Sequence, residues 1–167
     1  PNSAGSRIRS VGNLDNLANT FQVANSVRYT SPTFAGLQLA GMYGFGEVAG
    51  SNLNGRNISA GANYANGPLK ASLAYSLFNN RPAGFGGTYL ASQNLGSPAT
   101  VFNSLSTIAA GITYALGDVN LNADATQVKL NLPATAQKYQ RNFDLGAAWH
   151  YVGAETLNLG YSLSRLE

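Results

Sequence analysis

The 167-residue sequence has no cysteine, so neither a disulfide framework nor a thiolate metal site is available to it. Charge is scarce. Asp, Glu, Lys and Arg make up 10% of the residues, against roughly a quarter in an ordinary soluble domain. A chain of this length normally wets its surface with charge, and that coat is missing here. The ten basic residues give a formal charge of +3 but are scattered, so nothing suggests a nucleic-acid partner. No run of about 18 apolar residues occurs, which excludes a transmembrane helix. The single histidine, His150, cannot build a metal site alone. The glycines of Gly41-x-x-Gly44-x-Gly46 precede no helical pattern, so they are not a phosphate cradle. No metal and no cofactor is expected.

Gly, Asn, Ser, Ala and Tyr fill the space that charge leaves, and they are arranged with a period of two. The plainest case surrounds Asn66-Gly67-Pro68. Ile58, Ala60, Ala62 and Tyr64 alternate with Asn57, Ser59, Gly61 and Asn63 before it. Leu69, Ala71, Leu73, Tyr75 and Leu77 alternate with Lys70, Ser72, Ala74 and Ser76 after it. Two alternating runs flanking Asn-Gly predict a β-hairpin. Its apolar face suits either a soluble core or lipid.

The same plan repeats along the chain. Residues 1–24 lack alternation and read as loop. A strand over Asn25–Ser31 ends at Pro32, which cannot continue a ladder. Leu37 to Phe45 forms the next strand, and a polar loop over Glu47–Gly55 leads into the hairpin. Residues 79–104 read as a long loop. Ile108 to Tyr114 and Val119 to Thr126 flank Leu116-Gly117-Asp118. Another loop reaches about Gln140. A last hairpin runs from Phe143 to Tyr151 and returns through Leu157, Leu159, Tyr161 and Leu163.

About eight strands of roughly nine to eleven residues result, the length that crosses a bilayer with tilt. Short turns alternate with long loops, and Tyr64, Tyr114 and Tyr151 each stand beside a short turn. Tyr43, Phe45, Tyr75 and Tyr161 are assigned to the opposite rim. Short turns on one rim, long loops on the other and two aromatic girdles describe an all-β, transmembrane antiparallel β-barrel in contact with outer-membrane lipid. The other face carries small amides and hydroxyls with Gly and Ala between them, which suits a wet lumen better than a packed one.

The run Asn25-Ser26-Val27-Arg28-Tyr29-Thr30-Ser31-Pro32, with Phe34-Ala35-Gly36-Leu37 and Tyr43-Gly44-Phe45-Gly46-Glu47, resembles the general-diffusion porins of Gram-negative beta-proteobacteria, of the neisserial and burkholderial type. Gly55-Arg56-Asn57-Ile58-Ser59-Ala60-Gly61-Ala62-Asn63-Tyr64 continues the likeness. The resemblance implies a sixteen-stranded barrel, assembled as a homotrimer, that passes small hydrophilic solutes and ions by passive diffusion. It implies that residues 1–24 are most of a pore-constricting loop and that residues 25–167 supply about eight of the strands. The chain reads as an internal piece of such a protein, lacking early and closing strands.

On this reading the pore selects by steric exclusion and by the charges lining it. Arg7 and Arg9, two apart in the loop, and Arg28 and Lys70 on the wall are candidate selectivity residues, with Asp124 and Asp144 opposing them. An anion preference is expected. The alternatives are a barrel adhesin and a barrel enzyme. Catalysis needs a nucleophile and base within hydrogen-bond reach. His150 and Asp144 share a strand face but stand six residues apart, roughly 20 Å. No enzymatic activity is expected.

Overall fold

With small polar and apolar residues alternating, the chain has no helical stripe to bury. The computed structural model, which describes residues 23, 25–46, 49–51, 54–81, 102–131, 137–152 and 155–167, forms strands. They are β1 (Ser26–Thr30), β2 (Leu37–Gly44), β3 (Asn57–Asn66), β4 (Leu69–Arg81), β5 (Phe102–Leu116), β6 (Val119–Asn131), β7 (Lys138–Val152) and β8 (Glu155–Leu166). All eight lie in one sheet in sequence order, each antiparallel to the next. Among the described residues β1 and β8 pair with no further strand, so the sheet is open at both edges.

Turn chemistry sets the register. Asn66 pairs with Leu69, which leaves Gly67 and Pro68 as a two-residue turn. Gly67 has φ +54°, and proline fixes a negative φ after it, the type II′ combination that matches strand twist. The Asn-Gly signal therefore marks the right place but a different turn, with Asn66 still in the ladder. Leu116 and Val119 pair across Gly117-Asp118 in the same way. The β7–β8 link is also two residues, the β1–β2 link takes residues 31–36, and residues 45–56, 82–101 and 132–137 separate the other neighbours. The three two-residue links share one rim with residues 31–36, and the remaining three links share the other.

Several strands outrun their sequence limits. β4 continues to Arg81 and β5 begins at Phe102, shortening the expected loop over 79–104. β6 extends to Asn131, and β7 starts at Lys138 rather than near Phe143. β1 is shorter than expected, at five residues.

The sheet has no layer packed on its apolar face among the described residues. Leu73, Ile112, Leu121, Leu145 and Leu159 on that face are 51%, 48%, 44%, 45% and 68% exposed. A soluble domain does not leave so continuous an apolar surface in water. Lipid is the solvent for which it is made. Tyr64 and Tyr114 stand near the short-turn rim, as do Trp149 and Tyr151, whose rings are 5.3 Å apart. At the far end of the shorter strand β2, Tyr43 and Phe45 meet edge to face at 5.0 Å. Tyr43, like Tyr75 and Tyr161, lies only six positions beyond the short-turn end of its strand, β2, β4 or β8. All three belong to the body of the apolar belt, not to its far edge.

Candidate functional site

Strand pairing places directly opposed residues on the same face, so the register defines the inner wall row by row. One row runs Asn63, Ser72, Gly111, Asp124, Asp144, Ser162. The row nearer the short turns contains Lys70, Thr113, Asn122 and Gly146. Asn63, Lys70, Ser72 and Asn122 are exposed, and apart from Lys70 the wall here carries only the small side chains of Gly111, Thr113, Asp124 and Gly146 beside them. The middle of the wall is thus shallow, polar and open to water, as the alternation predicts.

Arg28, Lys70, Asp124 and Asp144 all fall on this inner face. The two cations belong to β1 and β4, the two carboxylates to β6 and β7. Lys70 and Asp124 line one concavity together with Ser72 and Asn122. Asp124 and Asp144 oppose each other directly across β6 and β7. Like charges in that position repel and are tolerated where water screens them. Among the described residues none of the four forms an ion pair. Fixed charges of both signs therefore face the inner side, Lys70 and Asp124 within one concavity. Arg7 and Arg9 lie outside the described residues.

The long-loop end of the wall differs from its middle. There Leu105, Val128 and Leu130 face inward and are 6%, 1% and 2% exposed. Beside them stands a buried polar network. Gln140 Nε2 donates to Asn142 Oδ1 (3.2 Å) and to Ser164 Oγ (3.1 Å). Asn142 Nδ2 donates to Thr126 Oγ1 (3.0 Å), and Ser164 Oγ to Asn142 Oδ1 (2.6 Å). A second network joins Ser59 Oγ to Asn57 Oδ1 (3.1 Å) and Ser76 Oγ (3.2 Å). This end of the inner face is buried, unlike its open middle. Sequence reading missed Gln140 and Asn142. Their outer-face neighbours Tyr139 and Arg141 are also polar, and so the period of two loses its contrast.

His150 is held at the short-turn end, with Thr156 Oγ1 2.8 Å from Nδ1 and Asn120 Nδ2 3.3 Å from Nε2. Ser162 pairs with Asp144, not with His150, and Ser72 lies on that same Asp144 row. Among the described residues no serine hydroxyl is bonded to the imidazole; the hydroxyl that meets it is that of Thr156, its cross-strand neighbour.

Residues 2–166 match the family model described as Gram-negative porin. The anion-selective porin from Comamonas acidovorans superposes with a TM-score of 0.67 and 22% identity, over 87% of this chain and 40% of that one. A second porin structure gives 0.52 and 16% identity, over 83% of this chain and 44% of the other. The chain thus spans about two fifths of the length of the porins it matches. No curated protein gives a significant match.

Proposed function

The chain belongs to the Gram-negative porin family, proteins of the outer membrane, and on that premise we propose that the complete protein is a water-filled channel for passive diffusion of small hydrophilic solutes and ions. One observation carries this reading: a single sheet turns exposed leucines and isoleucines to one side and exposed amides, hydroxyls and charges to the other, in one continuous register. A barrel wall of that kind separates lipid from water. The family and fold point to a channel rather than an enzyme.

The finer proposal is a homotrimeric, general-diffusion porin of the beta-proteobacterial, neisserial and burkholderial type. Residues 1–24 act as the constricting loop and 25–167 as part of the barrel. Selection combines steric exclusion with the field of the lining charges. We assign an anion preference, with Arg28 and Lys70 on the wall and Arg7 and Arg9 in the loop as its sources. Asp124 and Asp144 oppose it. The inner-face register of Arg28 and Lys70 supports this, as does the selectivity named for the Comamonas porin.

The test is conductance of the full-length protein in a planar bilayer, with reversal potentials under a salt gradient. Stepwise currents arriving in threes and an anion-selective potential are expected. Changing Lys70 to Glu should move the potential toward cations, and the double change of Arg7 and Arg9 to Ala should move it the same way. A folded, inserted protein without conductance would overturn the channel.

A further inference from the structure

The outer face is nearly free of charge along the belt but not at its long-loop edge. Lys129, Arg141 and Arg165 all project there. Register places Arg141 between Gln127 and Arg165, one row beyond Ala125, Phe143 and Leu163, the last apolar outward residues of β6, β7 and β8 on this side. Lys129 pairs with Tyr139 in the next row. These cations cannot act on the lumen, because the parity of their strands turns them away from it.

Their height is set by the strands. Lys129 and Arg165 each stand ten positions beyond the first residue after a short turn, Val119 and Glu155. Ten rises of about 3.4 Å at a tilt of about 40° lift them roughly 26 Å, the height of a barrel's apolar band. The cationic groups therefore meet the bilayer where acyl chains give way to headgroups.

The cluster is pre-ordered without being neutralised. Glu167 bridges Arg141 (3.2 Å) and Arg165 (3.0 Å), while Arg141 Nε donates to Gln127 Oε1 (3.0 Å). The Tyr139 ring lies 5.5 Å from Lys129 Nζ and 5.9 Å from the Arg141 guanidinium. Three cations against one carboxylate leave a net +2. A guanidinium has five N–H donors, so each arginine keeps donors to spare, and the two side chains remain 54% and 76% exposed. Among the described residues Lys129 has no carboxylate partner.

We propose that this patch docks the phosphorylated headgroup of an outer-leaflet lipid, with the acyl chains lying on the leucine and phenylalanine rows below. Arginine forks suit phosphate oxygens, and clustered basic residues at a membrane face bind anionic lipid. Charge complementarity and continuity with the apolar belt both favour a lipid over a soluble anion. The inference rests on the membrane-barrel reading but not on conductance.

The experiment uses the full-length protein in detergent, with diphosphoryl lipid A as the probe and native mass spectrometry as the readout. Dephosphorylated lipid A and inorganic phosphate are the comparison probes. The triple variant K129Q/R141Q/R165Q should retain diphosphoryl lipid A at least about tenfold less than the parent. An R28Q control on the inner face should retain it fully. Unchanged heat-modified gel mobility and conductance in the triple variant show that the barrel is intact. If that intact variant keeps its lipid, or if dephosphorylated lipid A binds the parent equally well, the proposal fails. It also fails if millimolar inorganic phosphate displaces the lipid completely, since the patch would then be an anion site only. Loss of conductance in the parent would instead count against the channel.

Discussion

Ser72 and Leu73 are neighbours in the chain that face different solvents. Ser72 joins the inner row with Asn63 and Gly111, whereas Leu73 is 51% exposed on the outer face between Ala62 and Ala110. A charge is costly only on the side where water cannot follow it. Leu73→Arg should destabilise the full-length barrel by about 2–4 kcal/mol, read as a lower urea midpoint in lipid vesicles. Ser72→Arg should leave that midpoint nearly unchanged and shift the reversal potential toward anions. Equal destabilisation by both would contradict the two-faced wall.

At the scale of elements, turns carry the register, and they differ in tolerance. Ala35 and Gly36 both have positive φ, +48° and +84°, in the link that sends β1 into β2. A Cβ on Gly36 would also collide with the Ala65 carbonyl oxygen, whereas one on Gly67 would meet nothing within 4 Å. Gly36→Ala should therefore cost more than Gly67→Ala, which bears only left-handed strain of about 1–2 kcal/mol. Thermal unfolding of the detergent-solubilised full-length protein checks the ranking, and the reverse order would refute the close approach. Strand limits were legible where apolar and polar residues alternate, as in β3. They were lost in the upper parts of β6 and β7. There Gln127, Lys129, Tyr139 and Arg141 make the outer face as polar as the inner one, so hydropathy carries no parity signal.

At the scale of the whole molecule, the described sheet leaves β1 and β8 as open edges, and the chain spans about two fifths of the porins it matches. Unpaired edges cannot stand in lipid, because each free backbone group lacks a partner there. The 167-residue chain expressed and refolded alone is expected to give no stable single-channel steps, while the full-length protein does. Stable steps from the short chain would require β1 and β8 to close on each other.

By itself the sequence determined the all-β character, the places of the tight turns, the parity of Arg28, Lys70, Asp124 and Asp144, and the choice of lipid as solvent. Each follows from local periodicity or from the scarcity of charge, which needs no knowledge of distant partners. Tertiary structure alone decided which residues share a row. It drew Asp124 opposite Asp144, buried Gln140 and Asn142 beside Leu130, and gathered Lys129, Arg141 and Arg165 on one outer rim. Those groupings depend on strand register across neighbours up to dozens of residues apart, and register is a property of pairing rather than of any single run.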